Sequence, residues 1–235
     1  MTRSTPHAPP SSTSLRVLFV DTETTGLDAA VDRVVEVATV EAVGEHEVGC
    51  WSTLVRLQRP LPSAVVTLTG LTDAMLAGGV DEAVALATLA AQMARVDIVF
   101  AWNVEFDRAF IVAAARRCDV ALPSVRWACA LEATRDARPD LRGYRLSGVA
   151  RDLGIPTGRS HRALDDARCA WAIWRSLPSP SSAPSSPEPS SPEPSSPEPS
   201  SQEPPSPSSP SPSSPEPSST DDEPRASRSV LALFR

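Results

Sequence analysis

Proline sets the limit on what can fold in this chain of 235 residues. Seventeen of its 25 prolines lie between Pro178 and Pro224. Each fixes φ and removes a backbone donor, so neither a helix nor a sheet ladder is expected through that stretch. Between Ser185 and Ser201 the sequence repeats Ser-Ser-Pro-Glu-Pro. A segment with so little apolar surface to bury is expected to stay disordered, with extended polyproline character. Folding therefore falls to the first 177 residues, which are rich in Ala, Val, Leu and Arg and numerous enough for one domain with a full core. The expected organisation is a disordered segment at 1–14, a folded domain at 15–177, a Ser/Pro/Glu-rich linker at 178–229 and an apolar peptide at 230–235.

Charge divides in the same way. The net charge is −7, and the part after Leu177 holds three Arg against eight acids, which leaves −2 for the domain. A near-neutral domain has no bulk attraction for nucleic acid, so any such affinity must come from local patches. Arg142, Arg145, Arg151, Arg159, Arg162 and Arg168 form one candidate patch for phosphates. Cys50, Cys118, Cys129 and Cys169 make no CxxC pair and no cluster with metal-ligand spacing, as expected of reduced thiols. With no apolar leader in the first 14 residues and no run long enough to cross a bilayer, a soluble, cytoplasmic protein without membrane contact is expected.

Leu15–Val20 is almost wholly apolar, as a strand buried on both faces must be. Val31–Val43 and Glu47–Leu57 are Val-rich with polar residues interleaved, so they read as two more strands turning at Gly44. Asp73–Leu76 and Asp81–Arg95 read as helices, and Ile98–Ala101 as a further strand. Phe106, Phe110, Ile111 and Ala114 recur at helical spacing, ahead of Arg116 and Arg117 in the last turn. Leu146–Leu153 is a short helix closed by Gly154, and Leu164, Ala167, Trp171 and Trp174 mark the apolar face of a final one. Strands first, then helix and strand in alternation, predict an α/β fold: a mixed sheet flanked by helices.

Acids sit where these runs end. Asp21 and Glu23 are two apart on extended chain, so their side chains leave the same face. Such a pair at the end of an apolar strand is costly without a cation, and oxygen ligands suit Mg²⁺ or Mn²⁺. Asp107 and Asp166 fall in first helical turns, where an acid also simply complements the helix dipole. His161 lies in the loop before the last helix, with Asp165 as a neighbouring surface acid.

Taken together, Asp21-Thr22-Glu23-Thr24-Thr25-Gly26-Leu27, Trp102-Asn103-x-x-Phe106-Asp107 and His161-Arg162-Ala163-Leu164-Asp165-Asp166-Ala167 resemble the three exonuclease motifs of the DEDDh family. That family includes the proofreading epsilon subunit of bacterial DNA polymerase III. The resemblance implies a ribonuclease H-like five-stranded mixed sheet and hydrolysis of DNA from the 3′ end to nucleoside 5′-monophosphates, in proofreading or repair. By it Asp21, Glu23, Asp107 and Asp166 hold two divalent ions, Mg²⁺ or Mn²⁺, and His161 is the general base. Thr24, Leu71, Asn103 and Phe106 would touch substrate, with Leu71 as the wedge that parts terminal bases. Trp102 and Thr69 stand where relatives often carry His, which leaves Trp102 open to base stacking or to core packing.

The terminal Leu231-Ala232-Leu233-Phe234 resembles the Leu-x-Leu-Phe core of peptides that bind the bacterial sliding clamp, although Val230 replaces the usual leading Gln. Leu231, Leu233 and Phe234 would then moor the domain to a clamp, and a DNA polymerase III subunit is a further candidate partner. Two alternatives stay open in the sequence: the same chemistry on RNA, and a non-catalytic tethered adaptor.

Overall fold

A computed structural model describes residues 15–178. The segments assigned to 1–14, to the linker beyond Pro178 and to the peptide 230–235 lie outside the described residues.

The first apolar run becomes β1 (Arg16–Thr24). Val17, Leu18, Phe19 and Val20 are at most 1% exposed, as expected of a strand covered on both sides. The strand does not stop where its apolar residues stop, and Asp21 and Glu23 belong to it. The Val-rich stretches fold as β2 (Val34–Val43) and β3 (His46–Leu54), antiparallel partners joined by the turn at Gly44. Three helices follow: α1 (Ser63–Thr69), α2 (Asp73–Ala77) and α3 (Glu82–Met93). The chain then re-enters the sheet as β4 (Ile98–Ala101), leaves through α4 (Val104–Arg117) and returns as β5 (Arg126–Cys129). It finishes with α5 (Ala130–Ala137), α6 (Leu146–Asp152) and α7 (Ala163–Ser176).

The sheet order is β3-β2-β1-β4-β5. β1 pairs antiparallel with β2 and parallel with β4, and β5 extends the parallel half. This is the expected mixed five-stranded sheet. Alternation along β1 sorts the two faces. Val17 and Phe19 pack with Ala167, Trp171 and Trp174 of α7 and with Val149 and Ala150 of α6. Leu18 and Val20 pack on the other side, against Leu86 and Leu89 of α3 and Phe110 and Ile111 of α4. Asp21 and Glu23 continue the α7 face; Thr22 continues the α4 face.

Both tryptophans of α7 are core anchors. Trp174 lies 5.7 Å from the ring centre of Phe19 and 5.4 Å from that of Phe100. Trp174→Ala should lower the unfolding free energy by about 3–5 kcal/mol, the usual cost of emptying a buried aromatic site, as measured by urea denaturation of the full chain. Trp102 is also core rather than a stacking platform: it is 9% exposed, within the α7 cluster, and its Nε1–H donates to the Tyr144 carbonyl at 3.2 Å. Gly154 has φ +68° just past α6, a left-handed turn that ends the helix where expected.

Candidate active site

β1 outruns its neighbour, and the site is built on that overhang. β4 pairs with β1 only as far as Phe19, so the backbone beyond has no strand on that edge. Thr22 therefore donates from both its backbone N–H and its Oγ1 to Asp107 Oδ1, at 3.0 and 2.8 Å. Asp107 sits in the first turn of α4, buried at 4% exposure. An acid there gains from the helix dipole, and Thr22 fixes which way it points. The loop after β1 is tied down by Asp32, whose carboxylate accepts from Thr25 Oγ1 at 2.8 Å and from Asp28 N–H at 3.1 Å. A side chain at Gly26 would run into that carboxylate, which is why the turn carries glycine.

The third block arrives from the other face. Asp166 lies in the first turn of α7, and its Oδ2 accepts the backbone N–H of His161 at 2.8 Å. Glu23, His161 and Asp166 each bring a ligand atom within 4.8 Å of the other two. Asp165 does more than the surface role expected of it, since its Oδ2 accepts the Arg159 N–H at 2.8 Å and braces the same loop. His161 is exposed and holds φ +62°.

The electrostatics reveal how closely the acids are gathered. Burial raises the Asp21 carboxyl well above its ordinary range, and the fields of Asp107, Asp166, Glu23 and Glu36 add to it. Glu23 is pushed up to about 8, first by burial and then by Asp166, Glu36 and Asp107. Asp107 rises to about 7 through burial, although the bonds from Thr22 pull the other way. Asp166 is also raised by burial, against the opposing His161 N–H. Four desolvated carboxyls that disfavour each other's ionisation fit a divalent cation, because all the donors are hard oxygen and the crowded charge is what a cation relieves.

The motifs do not point to one acid of this group. Glu36 faces Glu23 directly across the β1–β2 pair and is 3% exposed. Arg162 answers it with Nη2 at 2.8 Å from Oε1 and Nε at 3.1 Å from Oε2, so this arginine is committed to a carboxylate rather than free for phosphate. Arg168 is likewise engaged, with Glu47. The signal for Glu36 is a lone charge inside Val34-Val35-Glu36-Val37, since a buried strand keeps an acid only with a partner.

The proposed substrate contacts divide. Asn103 is exposed and Thr24 half-buried at the sheet end, where Thr24 Oγ1 donates to the Gly26 carbonyl at 2.6 Å. Phe106 is half-buried, with its ring centre 4.9 Å from that of Phe110. Leu71 does not fit its expected role. It is fully enclosed with Val35, Leu61 and Leu76, so it fills core and has no face with which to part bases. The Thr-Gly-Leu match is local, and tertiary packing decides the direction of the side chain.

Comparison with known proteins agrees with this geometry. Residues 18–174 match the family model RNase_T, described as exonuclease. The chain is 34% identical over 157 residues to a Mycobacterium tuberculosis protein named for bifunctional exonuclease/endonuclease activity, covering 66% of this chain and 24% of that one. It is 31% identical over 156 residues to the PolC-type DNA polymerase III of Oceanobacillus iheyensis, covering 66% of this chain and 11% of the polymerase. The fold resembles that of Escherichia coli exonuclease I in complex with single-stranded DNA, with a TM-score of 0.62 at 20% identity over 68% of this chain and 40% of that one. The chain thus spans well under half the length of each of these relatives.

Proposed function

Because the chain belongs to the RNase_T exonuclease family, we propose that it is a metal-dependent 3′–5′ exonuclease that removes nucleoside 5′-monophosphates from DNA during proofreading or repair. The observation that carries the reading is that Glu23, Asp166 and His161 bring ligand atoms within 4.8 Å of one another, while the carboxyl of Asp21 lies in the fields of Glu23, Asp107 and Asp166. DNA is favoured over RNA by two relatives: a DNA polymerase, and an exonuclease solved with single-stranded DNA.

Asp21, Glu23, Asp107 and Asp166 would hold Mg²⁺ or Mn²⁺. A pair of such ions, when bound, supplies the positive field that steadies both the attacking and the departing oxygen of an in-line displacement. The protein's part is orientation and proton transfer. His161 takes a proton from the attacking water, imidazole being suited to exchange near neutral pH. The oxygen–phosphorus bond forms as the bond to the 3′-oxygen breaks, and that oxygen leaves with a proton from solvent. The His161 N–H bonded to Asp166 ties the base to a carboxylate of the cluster, so the base and the cation site keep one register. Thr24, Asn103 and Phe106 would line the approach and steady the terminal nucleotide. In this reading Leu231, Leu233 and Phe234 moor the domain to a sliding clamp, which raises its effective concentration at a primer end; a polymerase III subunit is the second candidate partner.

Incubating the full chain with 5′-labelled DNA and RNA oligonucleotides tests the reading. With Mg²⁺ or Mn²⁺, DNA should shorten one nucleotide at a time from the 3′ end, and EDTA should stop the reaction. Faster loss of RNA would transfer the activity to the ribonuclease alternative. Inertness towards both substrates would leave only the adaptor.

A further inference from the structure

We propose that the Glu36–Arg162 ion pair is a positioning device for the hydrolytic site: it anchors the residue after His161 to β2 and so fixes the imidazole and the first turn of α7 beside the acids. The chemistry of this role rests on the exonuclease reading; its geometry rests on the contacts alone.

His161 cannot hold itself in place. It is exposed, and its left-handed backbone is one that a non-glycine residue adopts only under constraint from its surroundings. Part of that constraint is the bond from its N–H to Asp166. The rest comes through the next residue. Arg162 precedes α7 with an extended backbone and gives the helix no side-chain cap. The cap comes from a distant strand instead, because the Ala163 N–H donates to Glu36 Oε2 at 3.2 Å. Arg162 Nη2 and Nε close on the same carboxylate at 2.8 and 3.1 Å. Donors from two consecutive residues thus converge on one acid that is nearly sealed from water. A planar guanidinium gripping both oxygens fixes direction as well as distance.

The pair also keeps charge in order. Without Arg162, Glu36 would confront Glu23 across the strands as a bare like charge. Without Glu36, the guanidinium would be free to settle on Glu23, whose field it already feels. Either loss disturbs the carboxylates that the cation needs. Arg162 in a phosphate-binding role would behave differently, because its removal would weaken substrate affinity and leave the loop in place.

The test uses the full chain as Arg162→Ala, Arg162→Lys, Glu36→Gln and the Glu36→Gln/Arg162→Ala double variant. Two measurements are made: kcat and KM on a 3′-recessed DNA with Mg²⁺, and amide hydrogen exchange across 159–163 in the metal-free protein. Arg162→Ala should lower kcat about 10- to 100-fold, the range for groups that orient metal-site residues, with KM within about threefold. Exchange at 159–163 should accelerate about tenfold or more as the local opening becomes easier. Arg162→Lys should restore part of kcat but not wild-type rates, since an ammonium lacks the two-point grip. The double variant should lose no more than about threefold beyond the worse single variant, because both changes remove one shared contact. Unchanged exchange in both Arg162→Ala and Glu36→Gln overturns the proposal whatever the activity. A rise in KM alone also overturns it and reassigns Arg162 to phosphate. Wild-type protein that is inert on every polymer would instead remove the exonuclease reading, and the exchange data would still decide whether the pair holds the loop.

Discussion

Asp107→Asn should raise the melting temperature of the metal-free protein at about pH 8.5 and lower hydrolysis in the presence of Mg²⁺ by more than about 100-fold. Both effects follow from one buried carboxyl. In the unfolded chain an aspartate ionises near its ordinary value; in the fold, burial lifts Asp107 to about 7 and Glu23 to about 8. The folded state then keeps protons that the unfolded state has released, so stability falls as pH rises. The contribution is fully present below the ordinary carboxylate range and is lost on the way up through about 7 to 8. Each pH unit across which one such group holds its proton only when folded is worth about 1.4 kcal/mol. Metal-free wild type should therefore melt roughly 10–20 °C lower near pH 8.5 than near pH 5.5, at the usual few degrees per kcal/mol for a domain of this size. Mg²⁺ should recover most of that loss at the higher pH, because a ligand that binds only the folded form stabilises it.

The amide introduced by Asp107→Asn would keep an oxygen to accept both bonds from Thr22, so the fold loses a charge and little else. The variant's melting temperature should depend less on pH, and Mg²⁺ should raise it less. Activity should fall by more than about 100-fold, since groups one shell further out already cost 10- to 100-fold when removed. Fluorimetric melting at the two pH values, with and without Mg²⁺, and hydrolysis of a labelled oligonucleotide provide the readouts. A flat pH profile for metal-free wild type, or an Asp107→Asn protein that still cuts, would refute the assignment.

The same physics explains how far the sequence could be read. Strands with a continuous apolar face were legible: β1, β2 and β4 follow runs of Val, Leu, Ile and Phe, and α7 follows its Leu164, Ala167, Trp171 and Trp174 stripe. Three elements were not legible. α1 begins directly after Pro62 and is built from Ser63-Ala64-Val65-Val66-Thr67-Leu68-Thr69, whose β-branched residues argue against a helix. β5 is a four-residue edge strand with only Ala128 buried, so it shows neither an apolar run nor clean alternation. α5 follows it without a break at Ala130, and no turn residue separates the two. At the site, the motif acids announced themselves because Asp21 and Glu23 end an apolar run, Asp107 and Asp166 open helices, and all of them fall in blocks that match one pattern. Glu36 did not, because it lies in the middle of an apolar run, and its meaning depends on Arg162, 126 positions away. Leu71 shows the converse: a residue that matches a motif and is sealed into the core. A short motif constrains chemistry only when the fold aims the side chain into the site.

His161→Gly separates catalysis from folding. A left-handed backbone costs a residue with a Cβ about 1–2 kcal/mol, and His161 bears that cost at φ +62° while its ring remains exposed. Strain kept at an exposed loop residue is compensated by the surrounding structure and points to a role for the side chain. Glycine adopts the same backbone freely, although it also gains freedom in the unfolded chain. The two effects oppose each other, so the melting temperature should stay within about 2 °C of wild type, a shift worth less than about 1 kcal/mol. Hydrolysis should nevertheless drop about 10²- to 10⁴-fold, the usual contribution of a positioned general base. The His161 N–H bond to Asp166 is a backbone contact that glycine retains, so the acid cluster should still bind Mg²⁺ as before, measured by titration calorimetry. Added imidazole should restore part of kcat in the glycine variant, since the vacated space leads straight to solvent. A stable variant that cuts at the wild-type rate would show that the proton leaves the water by another route.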